Sequence, residues 1–419
     1  MSLVDDATVP QHDAQPQRRG RRVPFWVWLV VAFVLVSFAR VVTGSEELDS
    51  AGTLREAITA FIPIALAALA GLWSERAGVL NIGLEGMMIL GTIGAGYFGF
   101  YYGPWQGVLA AMLFGAVGGA LHALATVVFN VDHIVSGVAI NIMAAGVAAF
   151  LADTWFSGLQ GGGPTQSPPV DGPVAIDLPG VASWAKGIED RHWFVVSDAA
   201  SVLGALTRDL SSLTILALLL VVGTYFALWR TAFGLRLRSC GESPAAAETL
   251  GVNVYRYKII AVLISGALAG LAGGFIVLVG AGLYQNGITN GRGYIGLAAM
   301  IFGNWRPGGL LVGSALFGYT DALQLRAGGG AVHALLIVIA IVLLAYGGWQ
   351  LRAGARRAGS VTVVFALLFA VWFFTTKEVP GDFTRMTPYV ATLFVLAFSA
   401  QRLRMPAADG LRYRRGEAG

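Results

Sequence analysis

Asn81 and Glu85 stand four positions apart in an otherwise apolar stretch, SERAGVLNIGLEGMMILGTIGAG, residues 74–96. On a helix this spacing puts both on one face. A carboxylate and a carboxamide are costly in hydrocarbon, so the pair must face protein or an aqueous path. Two chemistries fit. One is a polar element that lines or gates the route of a small polar solute. The other is an interhelical hydrogen-bond lock. Gly83 and Gly86 would let a neighbouring backbone approach or let the helix break. A second polar set lies in VDHIVSGVAINIMAAG, residues 131–146, where Ser136, Ile140 and Asn141 fall near one helix face. Asn141 would hydrogen-bond either a polar solute or a facing helix. Gly293, Tyr294 and Asn304, in GRGYIGLAAMIFGNWRPGGLLVGSALFG (residues 291–318), complete the candidates for such a route.

None of this is a catalytic constellation. The lysines are Lys186, Lys258 and Lys377, and none ends a Gly-rich loop in GK[ST], so no Walker motif can bind ATP here. There is no HExxH and no paired cysteine set for zinc. His12, His122, His133, His192 and His333 are scattered and read as packing or loop residues rather than metal ligands, and no cofactor is implied. Cys240 is the single cysteine, so no internal disulfide can form. Ion-driven carriers place acids at mid-membrane. Glu85 fits that pattern, whereas Asp153 and Asp321 sit nearer span ends, which gives ion coupling thin support.

A different kind of element lies at residues 236–258, RLRSCGESPAAAETLGVNVYRYK, a polar loop between two apolar spans. Its centre, Pro244 to Leu250, is expected to be a short helix: Pro244 suits the first turn and Gly251 the residue past the end. A short, capped, exposed helix joined to spans at both ends can act as a lever. An ordinary basic loop that anchors topology is the plainer alternative.

The elements that must hold these residues are membrane spans. Of 419 residues, 56% are hydrophobic and 12% charged, and mean hydropathy is +0.68. A soluble domain carries about 25% charge, and the apolar runs are continuous rather than alternating, which disfavours strands. Spans are expected over 25–42, 54–73, 79–102, 105–129, 134–157, 211–229, 258–283, 293–304, 308–325, 331–348, 360–376 and 386–401. Since a crossing helix needs roughly 20 residues, the eighth is too short to cross as an ordinary helix; it either merges with flanking residues or is a broken or re-entrant piece, tolerated only where protein covers it. The fold class is all-α and polytopic, with roughly 10–12 spans. Residues 1–24 read as a disordered cytoplasmic tail, 25–53 as an additional span and outer loop, 54–330 as the core, 331–376 as an extra helix pair, and 377–419 as a last span and basic tail. Most arginines then fall inside, with both termini cytoplasmic. Arg326 is the exception, at an outer end where its side chain can snorkel. The net charge of +4 is explained by this bias and implies no nucleic acid. The outer loop, 158–210, is a connector or a dock for an extracytoplasmic binding protein. Gly115xxxGly119, Gly266xxxGly270, Gly270xxxGly274 and Gly309xxxGly313 argue for close helix packing.

Four segments together, 74–96, 131–146, 241–274 and 291–318, resemble the permease subunits of ABC importers of the branched-chain amino acid, ribose and nucleoside type. The spellings GESPAAAETLGVNVYRYK, SGALAGLAGG and INI bring the chain nearest the nucleoside permeases that work with a basic-membrane-protein type lipoprotein. The span before residue 54 and the pair over 331–376 depart from the family pattern. The resemblance implies the ABC permease fold in a bacterial-type cell membrane, and a non-enzymatic transport subunit. It also implies three partners: a cytoplasmic ABC ATPase, a second permease subunit, and an extracytoplasmic binding lipoprotein. Asn81, Glu85, Ser136 and Asn141 would then serve the translocation path or gate. Glu242, Pro244, Ala246, Glu248 and Gly251 would couple to the ATPase. Simple sugars or branched-chain amino acids remain alternative solutes, and an ATP-independent carrier or a purely structural subunit an alternative class.

Overall fold

The computed structural model describes residues 25–177, 179–191, 193–384, 386 and 403–416. The tail expected over 1–24 and, beyond Met386, the last expected span lie outside them. Regular structure among the described residues is helical apart from one two-residue ladder, β1 (Ala175–Ile176) antiparallel to β2 (Leu210–Ser211), and two isolated bridges, Gly163 to Gln166 and Gln166 to Gln285. In order, the helices are α1 (Phe25–Thr43), α2 (Ala51–Arg76), α3 (Leu84–Tyr102), α4 (Pro104–Ala123) and α5 (His133–Phe156). Within the long loop come α6 (Pro179–Glu189) and α7 (Val196–Thr207). Then follow α8 (Ser212–Arg230), α9 (Ala232–Glu242), α10 (Pro244–Thr249) and α11 (Val254–Phe275). Then come α12 (Arg292–Phe302), α13 (Pro307–Ala322), α14 (Gly328–Arg352), α15 (Arg356–Thr375) and the single turn α16 (Gly381–Thr384).

Local chemistry sets these starts. Ser50 caps α2 by accepting from Thr53 N (3.2 Å), and Asn253 caps α11 by accepting from Arg256 N (3.1 Å). Pro104 and Pro307 open α4 and α13, where a missing N–H costs nothing. Among the described residues, seven helical stretches are long and apolar enough to cross a membrane, and the chain is an all-α, multi-pass membrane protein. Hydropathy suggested more. The difference has visible sources: α12 has 11 residues and reaches only about 16 Å, α13 has 16, and the last expected span lies outside the described residues.

α2 and α11 run through the middle, whereas α5 and α15 lie on the rim with little of their surface covered. The seam between α4 and α11 is glycine on glycine. A Cβ on Gly270 would sit 2.8 Å from Gly115 Cα, and one on Gly266 would sit 2.9 Å from Gly119 Cα. The small-residue spacing seen in the sequence is therefore a packing device. α1 is held to the loop helices by buried charge: Arg40 Nε lies 3.2 Å from Asp49 and Nη1 2.9 Å from Asp198. α14 and α15 form an antiparallel pair, pinned where the Thr362 hydroxyl donates to Gln350 Oε1 (3.0 Å).

Candidate functional site

Asn81 and Glu85 do not share a helix face. Residues 78–83 form a turn, and α3 starts only at Leu84, with Gly83 as its cap. Asn81 is buried in that turn. Its Oδ1 accepts from Gly83 N (3.1 Å), and its Nδ2 donates to Ser265 Oγ on α11 (3.0 Å). An asparagine that bonds its own backbone two residues on favours a turn over a helix, which is why the expected span begins later.

Glu85, in the first turn of α3, reaches the start of α12. Its Oε1 accepts from the Thr289 hydroxyl (2.6 Å) and Gly291 N (3.0 Å), and its Oε2 from Gly293 N (2.7 Å). The carboxylate therefore sits on the N-terminal N–H groups of α12, where the helix dipole favours negative charge. A Cβ on Gly293 would lie 2.7 Å from Glu85 Cα, so glycine is what permits the approach. Asn141, on α5, accepts from Gly86 N (2.7 Å) and donates to Ile82 O and to the Tyr294 hydroxyl (3.0 Å each). Ser136, a turn and a half earlier, hydrogen-bonds His122 Nδ1 (2.9 Å), whose Nε2 meets Leu80 O (3.0 Å).

All four candidate polar residues thus brace one stretch, Leu80–Gly86, against α4, α5, α11 and α12. The arrangement is a lock in the sense that Glu85 and Asn141 have partners on both polar atoms. Only Asn141, half-buried, and Tyr294, 48% exposed, reach the surface. Asp321, the other acid near this region, is paired with Arg292 (2.7 Å). An apolar groove of about 300 Å³ between α2, α7 and α13 is walled by Leu54, Phe61, Val202 and Leu206 and suits no polar solute.

The short helix is as expected. α10 covers Pro244–Thr249, Pro244 opens it, Ser243 Oγ accepts from Ala246 N (3.4 Å), and Gly251 follows at φ +82°. The segment before it is not a loop, however. α9 is helical through Glu242, because Gly234 tucks its backbone against the end of α8. Leu250, at the tip, is 84% exposed. Beside it a groove of about 400 Å³ is lined by Phe233, Arg236, Leu250, Asn253, Arg256 and Tyr257. Cys240 is buried, and burial pushes its thiol up to about 11, which makes it unreactive.

Glu242 and Glu248 already have partners within the chain. Glu242 Oε1 lies 3.7 Å from Arg76 Nη1. Glu248 accepts from the Tyr413 hydroxyl (2.6 Å), and this bond, with Gly416 N–H and Arg415, holds its carboxyl below the usual range. The turn Gly303–Arg306, where Asn304 and Trp305 both have positive φ, is pinned to α2. Trp305 Nε1 donates to Glu75 Oε2 (2.6 Å), and Arg76 Nη2 donates to Trp305 O (2.6 Å). Sequence reasoning missed Thr289, Trp305 and Leu250. A lone Leu on a polar lever is a readable signal; the partners of Glu75 and Glu85 are far apart in sequence and give none.

Comparison with known proteins agrees with this architecture. A family model described as branched-chain amino acid transport system / permease component matches residues 53–347. The chain is 32% identical over 364 residues to the guanosine ABC transporter permease protein NupQ of Bacillus subtilis, covering 85% of this chain and 94% of that one. It is 32% identical over 361 residues to the nucleoside ABC transporter permease protein NupC of Lactococcus lactis, covering 84% and 93%. It is 35% identical over 278 residues to the putative glucose ABC transporter permease protein TsgC13 of Haloferax volcanii, covering 66% and 78%. No solved structure matches. With the core spans, the short α12 and the capped α10 all inside the matched region, the chain belongs to the permease component family of the branched-chain amino acid transport system.

Proposed function

We propose that this chain is the membrane-spanning permease subunit of an ATP-driven importer and that its solute is a nucleoside. One observation carries the reading: similarity to guanosine and nucleoside permeases runs over more than four-fifths of the chain, through both the Leu80–Gly86 brace and α10. A separate cytoplasmic ABC ATPase takes α10 and Leu250 in its surface and hydrolyses ATP, while this subunit does no chemistry. Pro244, Ala246, Glu248 and Gly251 shape the lever, and Glu242 stands at its root. The end carrying α10 is cytoplasmic. A second permease subunit, not identical to this one, packs on the exposed apolar faces of α4 and α5, where Leu113, Val117, Ile142 and Phe150 are all more than half exposed. The path runs between the two subunits and is contacted by Asn141 and Tyr294, the members of the polar brace that reach the surface. Asn81, Glu85 and Ser136 hold the gate in shape. A binding lipoprotein delivers the solute at the opposite end, near α6 and α7.

Uptake by cells that express this chain with its ATPase and second permease tests the reading. Labelled guanosine or another nucleoside should enter only with a hydrolysis-competent ATPase, and unlabelled nucleosides should compete while leucine and glucose should not. The similarity to a glucose permease protein supports a simple-sugar reading, which predicts competition by glucose instead.

A further inference from the structure

Residues 403–416 lie across the coupling end of the molecule, where α9, α10 and the 303–306 turn meet, and touch every element there. Arg404 N donates to Asn304 Oδ1 (2.7 Å), in the turn between α12 and α13. Ala407 N donates to Glu242 Oε2 (3.3 Å) and Ala408 N to Gly241 O (2.8 Å), both at the end of α9. Gly78, two residues before the Leu80–Gly86 brace, is wedged between them: a Cβ on it would lie 3.1 Å from both Ala408 O and Gly241 Cα. Tyr413 packs with Cys240, Ala247 and Val254, stacks near Tyr255 (ring centroids 5.5 Å apart), and gives its hydroxyl to Glu248. Arg415 Nε adds a contact to Glu248 at 3.3 Å.

Under this layer lies Asp409, 8% exposed, against Glu75, 2% exposed. The Asp409 carboxyl faces Glu75, Arg76 and Lys258, and burial raises it above the ordinary carboxylate range. Glu75 in turn holds Trp305. The lever, the end of α2, the 303–306 turn and the brace therefore meet on one short piece of chain that is remote from all of them in sequence.

We propose that residues 403–416 are a strap that fastens α10 to the base of the polar brace, with Tyr413 and Asp409 as positioning residues, so that a push on the lever moves α2, the 303–306 turn and Leu80–Gly86 together. This rests on the importer reading. Without the strap, α10 is joined to the bundle only through α9 and α11, and a six-residue helix on two connectors tilts without carrying its neighbours. With it, Glu248 and Glu242 are tied through the strap to Glu75 and Gly78.

The test is solute transported per ATP hydrolysed, measured with the full-length chain and its partners in lipid vesicles, for wild type, Tyr413→Phe and Tyr413→Ala. Tryptic cleavage after Arg404 and Arg412 reports whether the strap is docked. Tyr413→Ala should speed cleavage and lower the transport ratio roughly fivefold, within the usual range of coupling between sites, while ATP hydrolysis continues. Tyr413→Phe keeps the ring contact, loses the bond to Glu248, and should fall between. Combining Tyr413→Phe with Glu248→Gln should lower the ratio by less than the two single effects multiplied together, because both act through one bond. An unchanged ratio despite faster cleavage would overturn the strap and leave the importer reading standing. A higher ratio would also overturn it, because the segment would then be a brake. No ATP-driven uptake by wild type would overturn both.

Discussion

Glu85 shows how one carboxylate can anchor the start of a short helix. It serves two backbone N–H groups and one hydroxyl at the start of α12, a helix too short to cross the bilayer. In a membrane, irregular backbone persists only where protein covers it and satisfies its polar groups. Glu85→Ala should therefore leave buried donors unpaired at about 1–3 kcal/mol each. We expect a clear fall in the thermal midpoint of the purified protein, and with it a loss of uptake. Tyr294→Phe differs. It removes one acceptor for Asn141 at a surface position, so it should raise the half-saturating solute concentration with the midpoint unchanged. Uptake kinetics and a thermal scan on both variants check the pair. Equal midpoints for wild type and Glu85→Ala would mean that the carboxylate does not brace the fold.

Among the elements, α10 depends on how it ends. Gly251 has φ +82°, a left-handed conformation that costs a β-branched residue about 1–2 kcal/mol. No atom lies within 4 Å of a Cβ placed there, so Gly251→Val strains the backbone without a clash. The helix should then extend or swing, and Leu250 should leave its exposed apex. The expected result is normal insertion and normal amounts of protein, with weak ATPase association and low uptake. Co-purification with the ATPase measures it. The α4–α11 seam behaves in the opposite way. Gly270→Val drives a side chain into the backbone of α4, and overpacking of this kind costs about 1–3 kcal/mol. That variant should lose assembled protein before it loses coupling.

For the whole molecule, the strap links stability to pH. Burial raises the Asp409 carboxyl to about 7, against 3.8 for a free side chain. Glu75 and Arg76 on α2 and Lys258 on α11 face it. A group that holds its proton more tightly when docked favours docking at low pH. The contribution is full below about pH 4, declines through the interval up to about 7, and is gone above it. Tryptic cleavage after Arg404 should therefore quicken between pH 5 and pH 8 in wild type. Asp409→Asn should flatten that profile, since an amide has no proton to lose. A pH profile that survives the substitution would move the titration to another group.

Much of this was legible before any coordinates. Continuous apolar runs and sparse charge set an all-α membrane protein. Pro244 and Gly251 marked a short helix at both ends, because a proline start and a glycine stop are backbone rules that act within a few residues. The small-residue spacing marked the seam. The sequence also pointed to Asn81, Glu85, Ser136 and Asn141, since polar atoms in hydrocarbon need partners, but it could not name those partners. Helical spacing put Asn81 and Glu85 on one face; the structure puts a turn between them, because Asn81 bonds to its own backbone and to Ser265. The strap was wholly a matter of tertiary structure. In the sequence, residues 403–416 are an ordinary basic tail. Only folding brings Tyr413 to Glu248 and Asp409 to Glu75, across separations of more than 160 residues that no local rule spans.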